Sequence, residues 1–209
     1  MRDASDLTAP STESTPMQRP ALNIPNMLTY ARILAVPLVV LCFFLEGELR
    51  SSDFARWLAF AIFALASITD FLDGYLARIW KQTSNIGRML DPIADKLLVA
   101  SVLLLMAADG TIAGWSIWAA IIILCREILV SGLREYLAAL KVSVPVTRLA
   151  KWKTTVQLLA VGFLLAGPAA DELIPHMTQA GIALLWASAI LTLYTGYDYF
   201  RAGLKHMAD

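Results

Sequence analysis

Residues 55–79 read ARWLAFAIFALASITDFLDGYLARI. The stretch begins as an apolar run and ends in charge, with Asp70, Asp73 and Arg78 in its last turns. About 20 mostly apolar residues suffice for a helix to cross a bilayer. An ionisable side chain inside such a helix is costly, so its presence points to function. Helical spacing places Asp70, Asp73, Gly74, Ala77 and Arg78 on one stripe. These residues therefore predict a membrane helix whose final turns carry a polar, partly small-residue face.

Working outward, five further apolar stretches of spanning length lie at 27–46, 91–109, 113–138, 153–170 and 179–202. The breaks between them carry turn chemistry: Glu46-Gly47-Glu48, Gln82 to Asn85, Asp109-Gly110, Ser143 with Pro145, and Pro168 to Pro175. The expected fold is all-α, a polytopic membrane protein with six transmembrane helices. Composition agrees, since 58% of the 209 residues are hydrophobic and 16% charged, against about 25% charged in soluble domains. Net charge is zero, which offers nothing to attract nucleic acid. Cys42 and Cys125 are the two cysteines, both in apolar runs, so no disulfide framework or zinc cluster is expected. Residues 1–20 are rich in Ser, Thr and Pro and predict a disordered cytoplasmic tail, leaving 21–209 as one membrane domain. The tail lacks the early apolar segment of a cleaved signal.

Basic residues favour the cytoplasmic side. With the N-terminus inside and six spans, fifteen of the 17 Lys and Arg residues fall on or near that side, and only Arg50 and Arg56 fall on the other. Both termini are therefore expected in the cytoplasm.

A second acidic segment follows the first after a short link: Gly87-Arg-Met-Leu-Asp91-Pro-Ile-Ala-Asp95. Asp91 and Asp95 share a helix face. Pairing this helix with the preceding one brings Asp70, Asp73, Asp91 and Asp95 together near the cytoplasmic surface. Four carboxylates in a low dielectric need compensating charge. Hard divalent ions such as Mg2+ or Mn2+ match oxygen ligands, and a pair of them can serve phosphoryl chemistry. Gly74 and Ala77 leave room on the stripe, Arg78 is placed to grip a diphosphate, and Gly87 permits close backbone approach. Pro92 is expected to open or kink the third span, with Asp91 as its N-cap. An acidic cluster of this kind also fits a cation transporter.

The segment Asp70 to Asp95 resembles the signature of the CDP-alcohol phosphotransferase family, D-x2-D-G-x2-A-R-x8-G-x3-D-x3-D, at all eight fixed positions. The resemblance implies a six-helix membrane enzyme that transfers a phosphatidyl or similar group from a CDP-linked donor to an alcohol and releases CMP. It implies two metal ions on Asp70, Asp73, Asp91 and Asp95, with Asp95 also the general base. It places Asn26, Thr29, Gly74, Ala77, Arg78, Ser84 and Gly87 with the donor CDP-diacylglycerol, and it suggests a homodimer.

Three segments bear on the acceptor: Asn23-Ile-Pro-Asn26-Met-Leu-Thr29-Tyr-Ala-Arg32, Arg126-Glu127-Ile-Leu-Val-Ser131-Gly-Leu-Arg134-Glu135, and Lys151-Trp152-Lys153-Thr154-Thr155. Read plainly, they are a capped entry helix, two Arg–Glu pairs two turns apart, and a basic interfacial anchor. They are also similar to the patterns of the bacterial phosphatidylglycerophosphate synthases within that family, apart from Ala150, where Gly is expected. That likeness implies sn-glycerol 3-phosphate as acceptor and the bacterial cytoplasmic membrane as location. Its phosphate would need cations beyond those that hold the donor, and Arg126, Arg134, Lys151 and Lys153 are the candidates. Inositol phosphate or phosphatidylglycerol are the alternative acceptors, as in phosphatidylinositol phosphate synthase and cardiolipin synthase.

Overall fold

The computed structural model describes residues 24–48, 52–80, 85–140 and 148–207. The expected tail at 1–20, Ser84 and the break around Ser143 and Pro145 lie outside the described residues. Six helices follow one another, and among the described residues there is no strand. They are α1 (Ile24–Glu48), α2 (Ser52–Trp80), α3 (Asn85–Ala108), α4 (Ser116–Ala139), α5 (Arg148–Ala170) and α6 (Met177–Met207). Each apolar stretch became one helix, and most run a few residues beyond the stretch that predicted them.

The bundle divides into two packed groups. Helix α1 lies against α2 and α3, α6 lies against α5 and α4, and α2 and α3 reach across to α5. The core at the join comes from Phe63, Leu98, Val102, Met106, Val161 and Leu164, all almost fully buried. The outer surface is apolar as well: Phe44, Leu65, Leu104, Ile128, Leu159 and Ile190 are exposed. A patch of this extent is not tolerated on a soluble monomer, and lipid is the solvent that accepts it. Four helices carry segments long and apolar enough to cross a bilayer: Asn26–Leu45, Ser116–Ala139, Trp152–Ala170 and Met177–Arg201. The other two, α2 and α3, are those that carry the clustered carboxylates.

Small residues set the α5–α6 spacing. A methyl group at Gly181 would sit 2.8 Å from Leu164 Cγ, and one at Gly167 would lie 3.1 Å from Thr178 Cα. Glycine is thus required for this close approach. The connecting turn passes through His176 at φ 72°. Asp171 then accepts a hydrogen bond from the Thr178 N–H at 3.0 Å, capping α6. That bonding holds its exposed carboxyl below the usual range.

At the α3–α4 end, Arg56 departs from its expected place in an outer loop. It is 5% exposed, paired with Asp109, bonded to Thr111 at 3.2 Å and stacked 5.2 Å from the Phe43 ring centroid. The α3–α4 turn brings Asp109 over α2, so this cation is matched locally rather than solvated.

Candidate active site

Helix α1 contributes Asn26, Thr29 and Arg32, three residues apart and so close to one face. All three are at most 2% exposed. Thr29 and Arg32 reach the acidic turns of α2 and α3. Thr29 Oγ1 donates to Asp91. One guanidinium nitrogen of Arg32 lies 2.8 Å from Asp70 Oδ1 and 2.7 Å from Asp95 Oδ1. Asp70 on α2 and Asp95 on α3 therefore meet around one cation, and Asp91 joins the same face of α1 through Thr29. Asp73, Gly74, Ala77 and Arg78 follow Asp70 within the last two to three turns of α2, and Gly87 is buried in the first turn of α3.

One local expectation is corrected. Helix α3 starts at Asn85, so Pro92 lies inside it and Asp91 is not its N-cap. Proline costs one backbone hydrogen bond there. The earlier start leaves the Asp91 side chain free to meet Thr29 on α1 instead of closing its own helix.

Two of the described carboxylates, Asp70 and Asp95, share one guanidinium, and both remain open. The Asp70 and Asp95 side chains are 36% and 45% exposed, whereas Arg32 is 1% exposed. The scaffold side of the cluster is fixed, and its other side is accessible. Carboxylate oxygens are the donor type that divalent ions prefer; among the described residues no three such side chains stand together closely enough to hold one ion.

Helix α3 continues toward a second cluster through the next residue. Lys96 donates to Ser131 on α4. On α5, Lys153 is buried and paired with Glu127 of α4. Arg126 lies 3.6 Å from the same carboxylate, and its Nε and a terminal nitrogen each donate at 2.9 Å, to Thr192 O and Thr195 Oγ1 of α6. Arg134 is close enough to act electrostatically on Arg126 but is itself exposed. Lys151 lies in the first turn of α5. The structure thus brings Arg126 and Lys153 together and leaves Arg134 at the margin.

The residue-level reading missed Arg32, Lys96 and Glu127 as members of these clusters. Arg32 carried one signal: it lies three and six residues from Thr29 and Asn26 inside an apolar helix. Lys96 and Glu127 adjoin chosen residues, and only the three-dimensional pairing assigns them partners.

The family model for CDP-alcohol phosphatidyltransferase matches residues 22–194, which includes α1 to α5 and most of α6. The chain belongs to the CDP-alcohol phosphatidyltransferase family. It is an enzyme family, and this decides against the transporter reading of the acidic cluster. Members use divalent metal ions, for which the open carboxylates are suited. Curated relatives extend the likeness over nearly the whole length. The CDP-diacylglycerol–glycerol-3-phosphate 3-phosphatidyltransferase of Rickettsia bellii is 46% identical, over 88% of this chain and 97% of its own. Proteins of the same name from Cereibacter sphaeroides and Escherichia coli are 39% and 38% identical, each over 90% of this chain and 98% of theirs.

Proposed function

We propose that this phosphatidyltransferase moves the phosphatidyl group of CDP-diacylglycerol to sn-glycerol 3-phosphate, giving phosphatidylglycerophosphate and CMP. The observation that carries the reading is the step from Asp95 to Lys96: adjacent residues of α3 belong to an open acidic cluster and to a basic one. A nucleotide diphosphate held through cations and a phosphate-bearing alcohol need those two surroundings side by side. The names of the relatives state the same pair of substrates.

In this reading Asp70, Asp73, Asp91 and Asp95 hold two Mg2+ or Mn2+ ions, which neutralise the diphosphate when bound. Asn26, Thr29, Gly74, Ala77, Arg78, Ser84 and Gly87 receive the donor. Arg126, Arg134, Lys151 and Lys153 receive the acceptor phosphate. Asp95 takes the proton of the primary hydroxyl as its oxygen bonds to the β-phosphorus of the donor. The bond from that phosphorus to the CMP oxygen breaks, and CMP leaves. Arg32 positions Asp95 and Asp70 for these roles. The acyl chains stay in lipid against the apolar exterior.

The test is an assay of purified enzyme with labelled glycerol 3-phosphate and CDP-diacylglycerol. Label should enter lipid with equimolar CMP release. A chelator should stop this and Mg2+ restore it, and inositol phosphate should not compete. Incorporation that proceeds unchanged in chelator, or preference for inositol phosphate, sinks the reading.

The same proposal makes 21–209 one domain of six spans, a homodimer in the bacterial cytoplasmic membrane, with both termini and the site facing the cytoplasm. The distribution of basic residues supports this orientation. A reporter fused after Asp209 should read as cytoplasmic and one inserted near Asp171 as external. An external C-terminus would contradict the span count.

A further inference from the structure

The chemistry above gives no task to Lys96, the residue that follows the reacting carboxylate. It is half-buried and lies about 16 Å from the start of α3, halfway along the helix. A lysine so placed in a membrane protein is costly, and its charge calls for a partner. Lys96 donates to the Ser131 hydroxyl on α4, and among the described residues no carboxylate pairs with it. Arg126 and Lys153 differ in this respect, since Glu127 serves both.

Its surroundings follow from how α3, α4 and α5 meet. Asp95 and Lys96 are one helical step apart, a rise of about 1.5 Å. The lysine therefore leaves the helix at the depth of the reacting carboxylate. Ser131 and Glu127 are four residues apart on α4 and share a face, with about 5–6 Å between their β-carbons. Ser131 holds Lys96 and Glu127 holds Lys153, so the two ammonium groups meet one face of α4 a turn apart. Lys96 is close enough to Lys153 to act on it electrostatically. Lys96 is thus the link between the open acidic cluster and the buried cations.

The partners set what each cation can receive. An anion that reaches Lys153 or Arg126 competes with Glu127, whereas at Lys96 it meets only a hydroxyl. An ammonium carries three donors, and a serine hydroxyl accepts or donates as it rotates. Ser131 can therefore accept from Lys96 and turn its own proton toward an anion that Lys96 also binds. A neutral alcohol would leave the ammonium charge unmatched. Resting on the acceptor assignment above, we infer that Lys96 and Ser131 bind the phosphate of the acceptor. Lys96 then reads the acceptor's charge beside the carboxylate that takes its proton. The pair is a specificity determinant that selects a phosphorylated alcohol over a neutral one.

The test measures both KM values and the Tm of Lys96→Met, Lys96→Arg and Ser131→Ala in the full-length enzyme. Lys96→Met keeps the length of the side chain and removes its charge. Its KM for glycerol 3-phosphate should rise by about tenfold or more, the worth of a charge-assisted contact, with the donor KM unmoved. Inorganic phosphate should compete with glycerol 3-phosphate in the wild type, and its inhibition constant should rise by the same factor in Lys96→Met. Lys96→Arg, which restores the charge, should recover most of the loss. Ser131→Ala should raise the acceptor KM about threefold to tenfold, and it carries the test if Lys96→Met fails to fold. An unmoved acceptor KM in these variants, with or without a lower Tm, overturns the inference and makes the pair a brace between α3 and α4. An equal rise in both KM values also overturns it, since that is the mark of a general change of charge beside Asp95. A wild-type enzyme that ignores glycerol 3-phosphate overturns the acceptor assignment itself, and this inference with it.

Discussion

The two ion clusters of this bundle are inverted copies of one another. Around α1 to α3 a single guanidinium, Arg32, serves two carboxylates, and a hydroxyl serves the third. Around α4 to α6 a single carboxylate, Glu127, serves two cations, Lys153 and Arg126. The first is left with surplus negative charge, the second with surplus positive charge. They differ also in access. The acidic side chains are a third to nearly a half exposed, while Lys153 and Arg126 are at most a tenth exposed. The acidic cluster can take a cation and a diphosphate on its open side without disturbing the contacts to α1. The basic cluster admits an anion only in competition with Glu127. Burial raises the cost of any unpaired charge there, which makes the basic side the more selective of the two.

The largest effect should come from the open cluster. Asp95→Asn keeps the shape and an oxygen that can accept from Arg32, but it loses the capacity to take a proton. Turnover should fall by about two to four orders of magnitude, with helix content and membrane recovery unchanged. Measuring kcat beside circular dichroism checks both. Retained turnover would break the comparison, because Asp95 would then be no more than a counter-ion for Arg32.

The sequence made the six helices legible because burial in lipid demands long apolar runs, and these are visible without any knowledge of packing. The acidic site was legible for a related reason: charge in such runs is conspicuous, and helical periodicity puts Asp91 with Asp95 and Asp70 with Asp73. Helix ends were less visible. Proline at 92 reads as a beginning, yet the residues from Asn85 already form two turns before it. Arg32 was hidden because a lone arginine in an entry helix reads as a topological charge, and its partner Asp95 is 63 residues away. The fate of Glu127 was hidden too. Spacing pairs it with its neighbour Arg126, but the α4–α5 contact also gives it Lys153, 26 residues distant.

The smaller effect belongs to the closed cluster, where position separates cations of equal formal charge. Lys153 is buried against Glu127, whereas Arg134 is exposed. If the cluster binds the acceptor phosphate, Lys153→Ala removes a charge-assisted contact of about 1.5–3 kcal/mol. The acceptor KM should then rise roughly tenfold to a hundredfold, while the donor KM barely moves. Arg134→Ala, whose charge is screened by solvent, should raise the acceptor KM by about threefold or less. Among the described residues, Lys153→Ala also leaves Glu127 with the 3.6 Å contact to Arg126 alone, so part of its effect will be lost stability. The double variant Lys153→Met with Glu127→Gln separates the two contributions. It removes the charge left behind and should restore much of the lost Tm. If Lys153 serves only to neutralise Glu127, this variant recovers the acceptor KM along with the stability. If Lys153 meets the phosphate, stability returns and the high acceptor KM remains, because no neutral side chain replaces an ammonium in front of an anion. Tm and the two KM values for the single and double variants therefore decide whether the closed cluster is a brace or a binding site.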